Sequence, residues 1–271
     1  MLFSSGKLAS ELQNMKALIF DCDGVLADTE LHGHLVAFNR MWQKAGVPWR
    51  WSEEQYAEKL KIGGGKERMR ALFSEPAFQA VHRVPSDEPA QKELLAQWHT
   101  QKTAIYQEII ASGNVPGRIG IKRLAEEALA AGWLLAVAST SAKPSVDAVL
   151  RFTVGDVTAA QFKVFAGDIV PKKKPAPDIY LFASQELGVP PDRCIAVEDS
   201  RNGLLAATAA GIKTVVTTSY FTTAENFDEA VLVLDSLGDP DGQACTVLAN
   251  RTGHEIGLYL KASDLEAILK L

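Results

Sequence analysis

The chain has 271 residues and a net charge of −5 at pH 7, with 47% hydrophobic and 23% charged residues. These values are ordinary for a soluble globular protein, and no stretch approaches the ~20 apolar residues that a membrane span needs. Acidic and basic residues are mixed along the chain without a basic stripe, which argues against nucleic acid as a partner.

Residues 1–14 precede the first convincing element and contain no apolar signal-peptide core. We expect them to be an extension: a short helix, a cloning remnant or what remains of a transit peptide. The first convincing element is the apolar run Lys16–Phe20 (KALIF), which ends at Asp21. Its composition predicts a strand that is buried on both faces.

Residues 30–112 show no convincing strand signal, and their apolar spacing predicts amphipathic helices. The predicted helices are Glu30–Ala45, Glu53–Leu60, Lys66–Phe73 and Ala90–Ser112. A helical segment between the first and second strands leaves from the carboxyl end of the first strand and returns there, near Val115–Gly117. Open α/β sheets bind their ligands at that edge, so we expect this segment to be a lid.

After the insertion, short apolar runs alternate with helical stretches. Strands are predicted at Leu134–Ala138, Lys163–Ala166, Cys194–Val197 and Lys213–Thr217. Helices are predicted at Ile119–Ala131, Ser145–Arg151, Asp178–Leu187 and Gly203–Ala210. This alternation implies βαβ units and therefore an α/β fold, with a parallel sheet and helices on both faces.

The pattern weakens after Asp235. Thr246–Leu248 and Ile256–Leu260 flank a turn-like segment and are predicted to pair as a hairpin. Ser263 is predicted to cap a last helix, Asp264–Leu269.

Two carboxylates, Asp21 and Asp23, directly follow the first predicted strand. They repel each other unless a cation or a proton intervenes, and Mg²⁺ prefers such oxygen ligands. By itself the pair is equally consistent with a solvated turn.

Polar side chains at other strand ends argue against that ordinary turn. Glu198 and Asp199 follow a buried strand, Ser139 stands at the end of another, and Lys174 precedes Pro175 near a further strand. Because the carboxyl ends of parallel strands meet at one edge of the sheet, these groups are predicted to converge on Asp21.

The segments FDCDGVLADTE, AVASTS, KKKPAPDIY and AVEDSRNGLLAATAAG resemble, in order, the four motifs of the haloacid-dehalogenase-like (HAD) hydrolases. The resemblance implies a Rossmann-like core formed by residues 1–29 and 113–271, and an inserted helical cap domain of the C1 type formed by residues 30–112. FDCDGVLADTE with KPAPDIY is similar to the β-phosphoglucomutase-like branch. GGGKERM and HLVAFN are similar to the CbbY-like sugar-bisphosphate phosphatases.

The resemblance also implies catalytic roles. Asp21 would attack phosphorus and form an aspartyl phosphate, and Asp23 would protonate the leaving oxygen and then activate water. Ser139 and Lys174 would bind the phosphoryl oxygens. Dehalogenation needs neither the second aspartate nor a metal, so Asp23 argues against that reaction.

The same resemblance implies a Mg²⁺ cofactor and the groups that surround it. The metal would be bound by the Asp21 carboxylate, the Asp23 backbone carbonyl and Asp199, with Glu198 assisting directly or through water. Thr140 and Ser141 are expected to line the pocket.

Residues of the insertion are candidates for recognising the rest of the substrate. Gly64 and Gly65 precede the helix predicted from Lys66. With Lys66 and Arg68 they suit a phosphate that is not hydrolysed; a flexible turn followed by a solvated basic helix is the alternative. Glu30 is expected to bind substrate hydroxyls, or only to stabilise the first turn of a helix.

Other side chains of the insertion are less distinctive. His99 and Lys102 share one helix face and resemble substrate-facing positions of the CbbY-like group, although an exposed face explains them equally well. His34 is predicted to be a packing histidine. The indoles of Trp42, Trp49 and Trp51 are predicted to form the interior of the insertion.

The sequence therefore predicts a Mg²⁺-dependent phosphatase for a small sugar bisphosphate such as xylulose 1,5-bisphosphate. The alternative is a phosphomutase with the same aspartyl phosphate, in which a substrate hydroxyl replaces water. A non-catalytic protein on this fold is disfavoured because every motif residue is present. The three cysteines are far apart and fit buried thiols in a reducing compartment, either a bacterial cytoplasm or a plastid stroma. Separately, we expect a monomer whose partner is a small-molecule sugar phosphate.

Overall fold

A seven-stranded sheet forms the centre of the protein in the computed structural model, which describes residues 15–271. The extension predicted for residues 1–14 lies outside the described residues. The strands are β1 (Ala17–Phe20), β2 (Leu134–Ser139), β3 (Phe162–Ala166), β4 (Cys194–Glu198), β5 (Lys213–Thr217), β6 (Leu232–Leu234) and β7 (Val247–Asn250). Their order is β3-β2-β1-β4-β5-β6-β7, and only β7 is antiparallel to its neighbour. The predicted α/β class with a parallel sheet is confirmed.

Strand β1 occupies the middle of the sheet because its residues are apolar on both faces. All four are fully buried, and Phe20 pairs with Val137 of β2 on one side and with Val197 of β4 on the other. This register aligns the carboxyl ends of the three strands. The residues that directly follow β1, β2 and β4 are therefore neighbours.

Helices occupy residues 30–112, here called the insertion, between β1 and β2. A single π-helical turn, Glu30–His34, leads directly into α1 (Leu35–Lys44). The other helices are α2 (Glu53–Leu60), α3 (Gly65–Leu72), the short α4 (Pro76–Gln79) and α5 (Glu88–Ala111). Helices α2, α3 and α5 agree with the sequence prediction to within two residues at each end. The predicted helix Glu30–Ala45 is divided into the π-helical turn and α1, and α4 was not predicted.

An aromatic cluster fills the insertion. Trp42 and Trp51 are buried and meet edge to face, with ring centroids 4.6 Å apart. Phe38 packs on both of them, and Trp49, which is partly buried, packs against Phe78. The prediction that these tryptophans form the interior of the insertion is confirmed.

Helices cover both faces of the sheet after the insertion. They are α6 (Ile121–Ala130), α7 (Lys143–Val154), α8 (Asp156–Ala159), α9 (Asp178–Leu187), α10 (Arg201–Ala209) and α11 (Ala262–Leu269). Two apolar clusters lie on opposite faces; one includes Leu18 and Phe20, and the other includes Ile19 and Tyr180. Among residues 15–271, none of the helices has the length and apolar character that crossing a bilayer requires.

The C-terminal part departs from the sequence prediction. Val247–Asn250 pairs with β6, a three-residue strand that the pattern did not reveal, so the predicted hairpin partner was wrong. Cys245, which directly precedes the first predicted segment, donates its backbone N–H to Leu258 O of the second at 2.8 Å. Helix α11 begins at Ala262, which places Ser263 inside its first turn rather than at the cap.

Candidate active site

Five polar side chains converge at the carboxyl edge of the sheet. Asp21 directly follows β1, Ser139 ends β2, Glu198 ends β4 and Asp199 follows it. Lys174 arrives from the loop between β3 and α9. All five residues are buried, and the structure brings them together as the strand-end argument predicted.

Lys174 is the cation of this group. Its Nζ lies 2.6 Å from Asp21 Oδ1, 2.6 Å from Glu198 Oε1 and 2.9 Å from the carbonyl oxygen of Ala138. Burial disfavours the charged amine, but Asp21 and Glu198 outweigh burial and hold the pKa of Lys174 well above its usual range. The ammonium is therefore charged, and it is aimed at Asp21.

The acidic residues outnumber this cation. Burial, with the charges of Glu198 and Asp23, raises the pKa of Asp21 to about 7 although Lys174 opposes the shift. Burial, with Asp21 and Glu198, also raises the pKa of Asp199 well above its usual range. Both shifts come first from burial and then from negative charge that Lys174 compensates only in part.

A divalent cation would balance the excess negative charge of these carboxylates. One carboxylate oxygen each from Asp21, Glu198 and Asp199 lies within 4.8 Å of the others, and carboxylate oxygens are the ligands that Mg²⁺ prefers. Ser219 Oγ donates to Asp199 Oδ2 at 2.7 Å and orients it. Gly24 has φ +81°, and a Cβ there would lie 2.0 Å from Asp199 Oδ2, so glycine is needed for this approach.

Asp23 lies in a contrasting environment. Its Oδ1 accepts hydrogen bonds from Thr29 Oγ1 at 2.6 Å and from His34 Nε2 at 2.8 Å, and its Oδ2 accepts one from Ser141 Oγ. Burial acts to raise the pKa of Asp23, but His34 and the hydroxyl donors hold it below the usual range. Asp23 is therefore held as a carboxylate in this structure, with both of its oxygens fixed by hydrogen-bond donors.

His34 is buried and packs as predicted, but it also makes polar contacts that the sequence did not suggest. Its Nε2 contacts Asp23, its Nδ1 lies 2.5 Å from Lys102 Nζ, and its ring stacks on Tyr106 with centroids 4.2 Å apart. Burial lowers the pKa of Lys102 to about 8. The row Lys102–His34–Asp23 joins helix α5, the π-helical turn and the end of β1. No sequence pattern connects three residues so far apart in the chain.

Glu30, Tyr56 and Arg68 form a second polar cluster in the insertion. The Tyr56 hydroxyl donates to Glu30 Oε2, and Arg68 Nη1 donates to the Tyr56 oxygen at 3.0 Å. Arg68 Nη1 lies farther from the Glu30 oxygens, at 3.4 and 3.5 Å. Sequence reasoning singled out Glu30 and Arg68 separately and missed Tyr56, which links them.

A cavity of about 350 Å³ lies between the sheet edge and the insertion. Several candidate substrate residues line it together with the strand-end groups: Glu30, Gly64, Gly65, Arg68, Lys102, Thr140 and Ser141.

Lys66 and His99 do not line this cavity. Lys66 Nζ pairs with Asp168 Oδ2 at 2.6 Å near the surface, because that carboxylate draws the amine away from the site. His99 lines a neighbouring cavity of about 260 Å³, which also contacts Lys102 and Ser141.

The glycine run of the insertion packs closely on the core. A Cβ on Gly63 would lie 2.7 Å from the carbonyl oxygen of Lys174, and Gly64 has φ +97°. The absence of side chains therefore lets the insertion backbone approach the loop that carries Lys174. This close packing is an additional reason for glycine, beside the approach of a ligand that the sequence suggested.

Comparison with known proteins relates the chain to one family. Residues 15–211 match the family described as haloacid dehalogenase-like hydrolase. A CBBY-like protein of Arabidopsis thaliana is 45% identical over 224 residues, which cover 83% of this chain and 70% of the relative.

Solved structures give the same result. The crystal structure of CbbY from Rhodobacter sphaeroides in complex with phosphate is similar, with a TM-score of 0.72 and 41% identity over 82% of this chain and 94% of that one. A mutant of that protein in complex with xylulose 1,5-bisphosphate is similar too, with a TM-score of 0.71, 41% identity and the same coverage of both chains.

Proposed function

We propose that this chain, which belongs to the haloacid dehalogenase-like hydrolases and is a phosphatase that hydrolyses phosphate esters, acts on a small sugar bisphosphate. In this proposal it requires Mg²⁺ and acts through a phospho-aspartate on Asp21. The observation that carries the proposal is the contrast between two neighbouring aspartates. Asp21 contacts the Lys174 ammonium and belongs to the carboxylate cluster, whereas Asp23 is held by His34 and two hydroxyls. Paired carboxylates in contrasting environments suit distinct chemical roles.

In this proposal residues 1–29 and 113–271 form the catalytic core and residues 30–112 form its cap. Asp21, Asp199 and the backbone carbonyl of Asp23 would hold Mg²⁺, and Glu198 would assist. When bound, Mg²⁺ neutralises negative charge on the transferring phosphoryl group and on the carboxylates around it.

The protein side chains then share two displacements at phosphorus. In the substrate complex the negative charge of the phosphate favours the protonated form of Asp23. An Asp21 carboxylate oxygen attacks, the bond from phosphorus to the ester oxygen breaks, and the departing oxygen takes that proton from Asp23. Lys174 and Ser139 donate hydrogen bonds to the phosphoryl oxygens. Water next loses a proton to Asp23 and attacks the phosphorus of the aspartyl phosphate, which releases inorganic phosphate and restores Asp21.

Xylulose 1,5-bisphosphate is the substrate we favour, because the bisphosphate-bound relative closely resembles this chain in sequence and fold. The phosphate that is not hydrolysed would bind near Lys102 and the first amides of α3, at Gly64 and Gly65, which line the cavity. Glu30 would accept hydrogen bonds from the sugar hydroxyls. Roles for Lys66 and His99 would require a bound state in which their side chains contact the substrate.

We also propose that the protein acts as a monomer in a reducing compartment, a bacterial cytoplasm or a plastid stroma. Cys22, Cys194 and Cys245 are free thiols, and the first two are buried. Sedimentation of the purified protein tests the monomer, and a dimeric species at micromolar concentration would contradict it.

Phosphate release tests the function. The purified protein with Mg²⁺ should release inorganic phosphate from xylulose 1,5-bisphosphate faster than from other sugar phosphates, and EDTA should stop the reaction. Equal activity with EDTA would contradict the metal requirement. A sugar phosphate isomerised without release of phosphate would indicate a mutase instead.

A further inference from the structure

Tyr56 connects the insertion to the core from a fully buried position on α2. Its ring packs against Trp51 and, across the cavity wall, against Phe221, with centroid distances of 5.6 and 5.9 Å. The ring position is therefore set by aromatic packing. The hydroxyl contacts Glu30 and Arg68, and the Arg68 guanidinium also lies over the ring, 5.7 Å from its centroid.

The Tyr56 hydroxyl separates the Glu30 carboxylate from the Arg68 guanidinium. Arg68 Nη1 is 3.4 and 3.5 Å from the two Glu30 oxygens, whereas close arginine–carboxylate hydrogen bonds measure about 2.7–2.9 Å. Arg68 Nε donates to the Ile62 carbonyl at 3.0 Å, whereas Nη1 faces the Tyr56 hydroxyl and Glu30. The hydroxyl fills the gap by donating to Glu30 and accepting from Arg68.

This arrangement leaves Glu30 with acceptor capacity to spare. Within residues 15–271, Glu30 Oε1 accepts only the long hydrogen bond from Arg68, at 3.4 Å. Glu30 also lines the cavity. A carboxylate accepts about four hydrogen bonds. It attracts hydroxyl donors and repels a phosphate, so this wall suits the hydroxylated part of a ligand.

We propose that Tyr56 is a positioning residue that keeps the Glu30 carboxylate apart from Arg68 and directed at the cavity, and that it thereby selects phosphate esters with hydroxyl groups. The inference rests on the proposed function, since it names the group that reads the sugar. Without the hydroxyl, Glu30 and Arg68 close into a bidentate ion pair, and the carboxylate oxygens are lost to the substrate.

The test compares Tyr56→Phe with wild type on two Mg²⁺-dependent reactions, hydrolysis of xylulose 1,5-bisphosphate and of p-nitrophenyl phosphate, which has no sugar hydroxyls. The variant keeps the ring and its packing. We expect KM for the bisphosphate to rise roughly tenfold or more, with kcat little changed, since a hydrogen bond to a charged group is lost. Kinetics with p-nitrophenyl phosphate should stay as in wild type.

The matched control is Tyr220→Phe. Tyr220 OH also donates to a glutamate of the insertion, Glu53 Oε2, at 2.9 Å, but Tyr220 is exposed and does not line the cavity. We expect this variant to match wild type on both substrates. A loss of bisphosphate affinity equal to that of Tyr56→Phe would overturn the inference, because it would show a general effect of losing contacts in the insertion.

A double-mutant cycle provides a second measurement. Glu30→Gln should raise KM for the bisphosphate, and adding Tyr56→Phe to it should change KM little further, because both substitutions disable one interaction. Fully additive effects of the two substitutions on KM, or an equal loss of activity with p-nitrophenyl phosphate, would overturn the role of Tyr56. Neither result would affect the proposed function. A wild-type enzyme that hydrolyses p-nitrophenyl phosphate but no sugar phosphate would overturn both this inference and the proposed substrate class.

Discussion

The two walls of the cavity position their side chains in different ways. On the sheet edge, Asp21, Ser139 and Asp199 lie together because the backbone register of β1, β2 and β4 puts their strand ends side by side. On the insertion, Glu30 and Lys102 come from different helices and are held by other side chains, Tyr56 and His34. Backbone geometry therefore sets the first wall, and side-chain pairing sets the second.

This difference determines how each wall should respond to substitution. A change on the sheet edge removes a group that contacts the phosphoryl centre and leaves the frame intact. A substitution of Tyr56 or His34 on the insertion removes the side chain that holds Glu30 or Lys102. Its effect on the substrate is therefore indirect. We therefore expect large losses of kcat from the first wall, and smaller, substrate-dependent effects from the second.

The largest effect is expected for Asp21→Asn. The amide is a poor nucleophile and carries no charge for a cation, so kcat should fall by about 10⁴-fold or more. Initial rates of phosphate release with saturating Mg²⁺ measure the loss, and a thermal unfolding curve serves as the control for folding. A residual activity within tenfold of wild type would mean that another group attacks phosphorus.

Asp23→Asn should have the next largest effect. Because Asp23 transfers protons in both displacements, kcat should fall by roughly 10²–10⁴-fold, the usual range for a lost acid–base group. Rapid-mixing measurements should show both formation and breakdown of the phosphoenzyme slowed. An unchanged breakdown rate would restrict Asp23 to the first step.

His34→Gln tests the junction of the two walls. His34 contacts Asp23 without lying on the sheet edge, so its loss should lower kcat roughly ten- to a hundredfold. The pH profile of kcat should shift as well, because the hydrogen bond from His34 lowers the pKa of Asp23. A profile identical to that of wild type would reduce His34 to the packing role that the sequence suggested.

The smallest effect is a pH dependence of stability that originates in the insertion. Burial lowers the pKa of Lys102 from 10.5 to about 8. Below about pH 8 Lys102 is protonated in both the folded and the unfolded protein. The free energy of unfolding is then lowered by the full cost of burying this charge. Between about pH 8 and 10.5 the folded protein has released a proton that the unfolded chain still holds, so this cost declines as pH rises.

Comparison of wild type with Lys102→Met isolates that contribution. The free energy of unfolding of wild type, minus that of the variant, should increase with pH by up to about 1.4 kcal/mol per pH unit in this window. Urea unfolding curves at pH 7.5, 8.5 and 9.5 (values chosen to span about pH 8) measure the difference. If this difference did not change with pH, burial in the folded protein would not lower the pKa of Lys102.

The same contrast explains what was predictable from the sequence. Apolar runs predict buried parallel strands, and their carboxyl ends share an edge, so the convergence of Asp21, Ser139 and Asp199 follows from the chain alone. The contacts of His34 and Tyr56 depend on how the π-helical turn, α2 and α5 pack together. The spacing of apolar residues along the sequence does not predict that packing. Strand β6 was missed for a similar reason, since its three residues become a strand by pairing with β5.

Rapid-quench trapping tests the central claim most directly. The enzyme and substrate labelled with ³²P in the hydrolysed phosphate would be mixed with Mg²⁺, quenched with acid during the first turnover and digested. The proposed mechanism predicts label on the peptide that contains Asp21, released by hydroxylamine and absent from Asp21→Asn. Free phosphate formed in the first turnover with no label on the protein, or with label on another peptide, would contradict it.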